Sequence, residues 1–450
     1  MAPLDRRTKR DILLCAFGFP PLGGPTERRW VEFVRVLAAR GWSIDVLAAC
    51  PSPRHPRYDE TSLRLIPPTV RVYRTFPGVL HHMERAAYAR AGVKASGASL
   101  LARARAGGLA LGRAGYRTIV RQLLVPDRMV DWTPFALATA SRLLRRNRYR
   151  LIVSSSSPQT SHVVGYVLKR RTRLPWVGDW SDPLSFNPNY VLSPWQRVAF
   201  RALEEKLITT MDHVVVSTEE TKTAYLQHYP ALPEEKVSVV YYGYNPELFG
   251  DAVKVERDGL RLVYTGIFLK TIRRPYALFD ALAEIQDLPV EVVIAGAMDA
   301  EFVEYARSRG LANTVQFLGQ RPHAEVLRLQ KEASVLLLLG NRGGLQLPGK
   351  IFEYMAARRP ILCIKNDQHD IAADMVARHN RGLVVDNDAA HIAEAIQSLH
   401  AAHAAGTLDQ RFSIGPLEQF AWPNVATQME GVLAGVLDAS GAPVAAGRAG

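Results

Sequence analysis

The residues with the clearest chemical potential lie in the stretch GLQLPGKIFEYMAARRPIL, residues 344–362. Pro348 and Gly349 break the chain there, and the pattern predicts a helix from about Lys350. Ile351, Phe352, Met355 and Ala356 would form its apolar stripe, with Lys350, Glu353 and Ala357 on another face. If the stripe holds a sheet, Lys350 and Glu353 look toward a ligand. Free N–H groups at Gly349 and Lys350, together with the helix dipole, favour a diphosphate at such a start by about 0.3–1 kcal/mol, up to ~2 kcal/mol when partly buried. One turn on, Glu353 could accept paired hydrogen bonds from a ribose diol. The plain alternative is an i,i+3 Lys–Glu surface pair, worth about 0.2–0.5 kcal/mol.

Two other stretches carry similar chemistry. A strand-like run ends at Gly266 and is followed by IFLKTIRRP, which supplies Lys270, Arg273 and Arg274. Cations at the carboxyl end of a parallel strand face the ligand side of a sheet, although a solvated basic loop has the same composition. Near the N-terminus, GFPPLGG (18–24) joins a strand to a helix beginning near Thr26. Gly23 and Gly24 would let the backbone approach a phosphate or sugar closely. The glycines do not have the GxGxxG spacing of a dinucleotide site, and a tight turn alone would also use them. No Cys/His spacing suggests a metal site.

These stretches need elements to position them. DILLCAF (11–17), the glycine loop, ERRWVEFVRVLAARG and WSIDVLAAC (42–50) make a βαβ unit, with Trp30, Phe33, Val34 and Leu37 on the buried helix face and Gly41 ending it. Residues 80–125 look helical, interrupted by Gly92, Gly107 and Gly108. A strand–turn–helix follows in 149–171, then strands at 174–183, 212–220 and from 237. After a polar linker at 251–259, six short strands (RLVYTG, VEVVIAG, TVQFLG, SVLLLLG, ILCIK, GLVVD) alternate with helices at 275–286, 301–310, 323–333, 349–357 and 368–379. A last apolar helix spans about 421–437, before a small-residue tail at 438–450. The expectation is α/β: two doubly wound parallel-sheet domains, 1–250 and 251–420, facing a cleft that takes the ligand.

At 450 residues the chain is too long for one core, which agrees with two domains. No apolar run reaches ~18 residues, so a transmembrane helix is not expected. Cys15, Cys50 and Cys363 lie in apolar strand-like surroundings and are expected as reduced core residues of a cytoplasmic protein. The net charge of +13 is unevenly spread. Between Arg85 and Pro126 stand eight basic residues and no acidic one, a segment open to nucleic acid, anionic membrane or phosphorylated partners. No nucleic-acid module or aromatic–basic interleaving accompanies it, which disfavours nucleic acid.

Three stretches resemble the GT-B glycosyltransferases, in particular the retaining family 4 enzymes of bacterial polysaccharide and glycolipid synthesis. They are FPPLGGPTERRWVEFVRVLAARGWSIDVLA, VVYYGYNPELF and LPGKIFEYMAARRPIL. SSSSPQTSHVVGYVLKRRTRLPWVGDWSDP is similar to the branch acting in exopolysaccharide and O-antigen synthesis. The resemblance implies two Rossmann-like domains, the first holding an acceptor and the second a nucleotide-sugar donor. It also implies a C-terminal helix returning to the first domain, and no cofactor or metal beyond the donor. By the resemblance, Glu353 matches the ribose-binding second Glu of the family's Glu-x7-Glu motif. Gly23 and Gly24 match the loop near the donor phosphates, and Lys270, Arg273 and Arg274 fall in the diphosphate-binding region.

The sequence departs from the family twice. Leu345 stands eight residues before Glu353, where the family has the Glu that contacts the donor sugar. Asp179 and Asp182 stand where the family often has a His after the strand. Either could orient an acceptor hydroxyl or a donor group, or serve as a cap or turn aspartate. His162 is a further candidate, with a buried or capping histidine as its alternative. The expected activity is hexosyl-type transfer to a growing polysaccharide or polyprenyl-linked glycan. A nucleotide-sugar epimerase and a catalytically silent assembly partner are the rivals, the latter suggested by Leu345. The basic segment would dock on the anionic inner face of the cell membrane, at ~1 kcal/mol per near-surface Lys or Arg. Vesicle binding through it should weaken with added salt and with removal of anionic lipid, as co-sedimentation would measure.

Overall fold

In the computed structural model, residues 8–55, 57–80, 124–187, 190–250, 258–268, 273–341 and 347–441 are described. Apolar residues occupy consecutive positions along the first strand (Ile12, Leu13, Leu14, Cys15), and all four are buried, as both-face coverage of a parallel sheet requires. Seven strands share this first sheet: β1 (Thr8–Ala16), β2 (Ile44–Ala49), β3 (Arg71–Thr75), β4 (Asn147–Ser155), β5 (Trp176–Trp180), β6 (His213–Val216) and β7 (Val237–Val239). Their order is β3-β2-β1-β4-β5-β6-β7, with parallel pairing. The helix Pro25–Ala39 buries Trp30, Phe33, Val34 and Leu37 as its periodicity predicts, and Gly41 follows with φ +86°.

The second sheet holds β8 (Leu260–Thr265), β9 (Val290–Ala295), β10 (Val315–Gly319), β11 (Val335–Leu339), β12 (Ile361–Lys365) and β13 (Gly382–Asp386). These are the six strands read from the sequence. They run parallel in the order β10-β9-β8-β11-β12-β13. The helices Tyr276–Glu284, Ala300–Ser308, His323–Lys331, Lys350–Ala356 and Ile371–Arg378 lie within the spans their periodicity predicts, to within a residue. Strand order reverses between β1 and β4 and again between β8 and β11, so each sheet has one topological switch point at its carboxyl edge.

The chain divides into two units, Met1–Tyr241 with Ala426–Gly450, and Tyr242–Val425. The final helix, Trp422–Ala439, carries Glu430, which accepts hydrogen bonds from Trp42 Nε1 and Arg40 Nη1, both at 2.6 Å. The sequence pattern does not announce the edge strand β3 or the helices Thr133–Arg146, Pro194–Thr210, Glu219–His228 and Ala389–Ala404. Cys15 and Cys363 are buried, and burial pushes the Cys15 thiol up to about 12. Cys50 corrects the expectation: it follows the last residue of β2, beyond the covered part of the sheet, and is exposed. Most of the basic segment, most of the polar linker and most of the tail lie outside the described residues.

Away from the carboxyl edge, a buried polar network ties β1, β2 and β4 together. Asp45 Oδ1 accepts from Arg10 Nε at 2.9 Å and Nη2 at 2.5 Å, and Tyr149 Oη donates to Oδ2 at 2.5 Å. Removing one partner of a buried pair leaves the other charge uncompensated, at about 3–5 kcal/mol. Asp45→Ala should therefore lower the denaturant midpoint of the first unit by a stability loss of that size, measured by urea titration.

Candidate functional site

At the second switch point β8 ends in Tyr264 and Thr265, and Gly266 turns the chain with φ +152°. A Cβ on Gly266 would lie 2.9 Å from Lys350 Nζ, so the glycine makes room for that ammonium. Lys350 opens the helix Lys350–Ala356 and reaches back to donate to the Thr265 carbonyl at 3.2 Å. Its Nζ sits 3.7 Å from the Tyr264 ring centroid, a cation–π contact. Burial first, and the like charge of Arg273 second, hold its pKa well below the usual lysine range. Arg273 Nε in turn donates to Asn341 Oδ1 at 2.9 Å, just past the end of β11. Among the described residues neither Arg273 nor Lys350 forms an ion pair with a carboxylate. Arg274 is exposed beside them.

The helix is fixed to this edge from both ends. Tyr354 Oη accepts from the Thr265 backbone N–H at 2.8 Å, and the Thr265 hydroxyl accepts from Gln330 Nε2 at 3.0 Å. At the other end the buried guanidinium of Arg381 donates to the carbonyls of Met355, Ser413 and Gly415. Glu353, on the half-buried face, takes His323 Nε2 at 3.1 Å from Oε1. Among the described residues, a Cβ on Gly349 would meet no atom within 4 Å. Lys270 and Leu345 lie outside the described residues.

In the first unit the glycine loop holds side chains of its own. Gly23 N–H donates to the Arg57 carbonyl at 2.7 Å. A Cβ on Gly24 would come within 2.2 Å of Glu27 Oε2, and one on Gly18 within 2.3 Å of Glu27 Oε1. The Glu27 carboxylate thus fills the space both glycines leave, with Arg57 Nη1 3.9 Å from it. Burial raises its pKa, and Arg57 opposes the shift.

Asp179, at the end of β5, is enclosed. Arg29 Nη2 donates to Oδ1 at 3.1 Å, and Trp30 Nε1 to Oδ2 at 2.7 Å. Arg29 spends its remaining donors on the carbonyls of Val240 and Tyr241, and both charged side chains are 1% exposed. Those contacts join the first helix to β5 and the chain after β7. His162 is buried too: Nδ1 lies 2.8 Å from Ser154 Oγ, the ring stacks on Trp180 at 4.2 Å, and Nε2 has no hydrogen-bond partner among the described residues. Burial lowers its pKa to about 3, so the ring is neutral at ordinary pH. Asp182 is half-buried in the loop beyond β5, and its carbonyl accepts from Gln159 Nε2 at 3.1 Å.

The structure therefore gathers Arg273, Lys350 and Glu353 around one strand edge and its helix, while Asp179 and His162 are built into the first unit's interior. Sequence reasoning missed His323, because its partner stands 30 residues away. It also missed Arg29, although an arginine beside Trp30 on a buried helix stripe is a readable sign of an internal counter-ion. Among the described residues no group of three or more His, Cys, Asp or Glu could hold a metal ion, and no helix is long and apolar enough to cross a membrane.

Comparison with known proteins bears on the family and the fold. Family models match over residues 24–243 ("Glycosyl transferase 4-like domain") and 259–402 ("Glycosyl transferases group 1"). D-inositol 3-phosphate glycosyltransferase of Corynebacterium diphtheriae is 26% identical over 263 residues, 52% of this chain and 58% of that relative. The chain thus spans little more than half the length of this relative. Sucrose-phosphate synthase from Thermosynechococcus elongatus matches with a TM-score of 0.65 at 19% identity, over 96% of this chain and 100% of the other. Anabaena HepE in complex with UDP and glucose matches with a TM-score of 0.60 at 15% identity, over 95% and 100%. At such identities the structural likeness speaks for the fold.

The two aspartates should separate by stability. Asp179→Ala strands the Arg29 guanidinium inside the first unit and should cost about 3–5 kcal/mol. Asp182→Ala should cost less than about 1.5 kcal/mol, as a half-buried loop side chain. Thermal unfolding of both variants measures the difference.

Proposed function

The chain belongs to the GT-B glycosyltransferases, and from that premise we propose that it transfers a hexosyl-type sugar from a nucleotide-sugar donor, held by the second unit, to a hydroxyl of a growing polysaccharide or lipid-linked glycan held by the first. Retention of anomeric configuration is part of the proposal. The observation that carries it is the pair Arg273 and Lys350, set at the carboxyl edge of β8 and β11 with no carboxylate paired to either among the described residues. A partly desolvated ammonium pushed down by a neighbouring guanidinium is a site that gains from an anion. A donor diphosphate supplies one, and its negative charge would favour the ammonium form of Lys350.

Breaking the bond between sugar and diphosphate builds negative charge on the leaving oxygens. Fixed cations and N–H groups at that place stabilise the developing charge without reorganising during the step. Glu353 would anchor the nucleoside end by accepting from the ribose hydroxyls, with His323 holding one carboxylate oxygen in place. Gly349, whose Cβ position meets no described residue within 4 Å, would let the diphosphate approach the helix start. The rival reading, a binding partner without turnover, is favoured by Leu345 at the place of the family's sugar-contacting Glu.

A panel of UDP-, GDP- and ADP-sugars should yield one that raises the melting temperature and is turned over. Glu353→Ala should weaken that nucleotide about 10- to 100-fold, the loss of charge-assisted hydrogen bonds, with the larger change in KM. His323→Ala should shift KM in the same direction by less. A stabilising nucleotide sugar with no transfer to any acceptor and no hydrolysis would favour the silent partner.

A further inference from the structure

The helix Pro194–Thr210 has two unlike faces. Inward, Glu204 is fully buried and accepts four hydrogen bonds: Leu184 N–H at 2.7 Å and Ser185 N–H at 2.9 Å, Tyr225 Oη at 2.8 Å and Tyr229 Oη at 2.7 Å. A carboxylate so completely satisfied locks the loop after β5 onto the helix. Outward, the helix and the residues before it are bare. Val191 is 101% exposed, Val198 71% and Trp195 42%, with Tyr190 beside them. Pro194, Trp195, Val198 and Ala202 share the outer side at helical spacing, and all four are exposed. Arg197 and Arg201 border this strip on one side and Lys206 on the other, while Glu205 closes it at the next turn.

Apolar side chains cost free energy in water, and here four of them face it from one short strip of helix. Their setting selects the occupant. Three cations frame the strip against one carboxylate, in a chain of net charge +13. Tryptophan is the side chain best suited to a membrane–water boundary, and a basic-edged amphipathic helix lies in that boundary with its apolar strip down. The length is suited to lying on a surface: the apolar part covers about two turns, far short of a span.

We propose that Val191, Trp195 and Val198, framed by Arg197, Arg201 and Lys206, form a docking surface that enters the interface of an anionic membrane. The clamp at Glu204 gives the surface its use. Asp182 stands two residues before Leu184, in the same loop, so the anchored helix and the acceptor-side carboxylate move as one piece. A lipid-linked hydroxyl would then meet Asp182 without leaving the membrane surface, a consequence that rests on the proposed glycosyl transfer.

The test uses the full chain and vesicles of equal parts phosphatidylglycerol and phosphatidylcholine, with no donor or acceptor present, so it stands or falls independently of Glu353. Wild type should co-sediment, and the combined variant Val191→Ser, Trp195→Ser, Val198→Ser should bind at least tenfold more weakly while keeping the wild-type melting temperature. At about 1 M salt, where charges are screened beyond ~3 Å, the binding that remains in wild type should vanish in the variant. Brominated acyl chains should quench wild-type fluorescence more than that of Trp195→Phe, a readout that does not depend on the triple variant folding. Equal binding by wild type and variant, equal quenching of wild type and Trp195→Phe, or no vesicle binding by wild type overturns the proposal. So does a wild-type dimer that the variant dissociates in light scattering, which would give the strip to a second copy of the chain.

Discussion

A parallel sheet delivers the ends of all its strands to one edge, and a reversal in strand order leaves a gap at that edge which no crossover helix covers. Both sheets here obey this constraint, with reversals at β1/β4 and β8/β11. The chemistry then depends on the residues that leave those four strands. After β8 and β11 come a glycine, Arg273 and Asn341; after β1 and β4 come the glycine loop and the serine run. Charge is distributed accordingly. The second edge collects cations, while the first buries carboxylates, Glu27 and Asp179, each with an arginine nearby.

The cation edge is maintained by backbone that only glycine can supply. Gly266 leaves the space for Lys350 Nζ, and Gly296, with φ +154°, lies so close behind it that a Cβ would collide with the Gly266 carbonyl at 1.6 Å. Tyr264 stacks on Phe268 and presents its face to Lys350, so an aromatic pair and two glycines together hold one ammonium. The arrangement costs lysine hydration, which the carbonyl of Thr265 and the ring offset only in part, as the lowered pKa indicates. In the proposed function an anionic ligand would complete the solvation that burial removed.

Apolar pattern is a faithful guide where it matches the burial: continuous runs in strands covered on both faces, and one stripe on a helix with one buried side. The six strands of the second sheet and the stripe of Trp30, Phe33, Val34 and Leu37 follow directly from apolar spacing. The helix Pro194–Thr210 did not stand out for the same physical reason: it is apolar on its outer side as well, and two apolar faces blur a period of 3.6. At the site, Lys350 and Glu353 were legible because helix geometry places them locally. Arg29 with Asp179 was not, since the partners are 150 residues apart and only the tertiary fold joins them. Cys50 looks like a core residue because the strand before it is buried throughout, yet it stands just past that strand's end, its N–H bonded to Thr75 of the edge strand β3 and its side chain exposed.

The three acid–base candidates of the first unit are unequal once their surroundings are counted. Asp179 gives an oxygen to Arg29 and another to Trp30, so both oxygens are already engaged inside the first unit. His162 has lost so much hydration that accepting a proton requires a pH near 3, far below any ordinary working range. Asp182 alone is half exposed and stands in a loop whose backbone is pinned by Glu204. In the proposed transfer the acceptor side needs little beyond a positioned hydroxyl, the one task left to a half-buried aspartate such as Asp182. The burden of catalysis in that proposal falls on leaving-group stabilisation, the task it gives to Arg273 and Lys350.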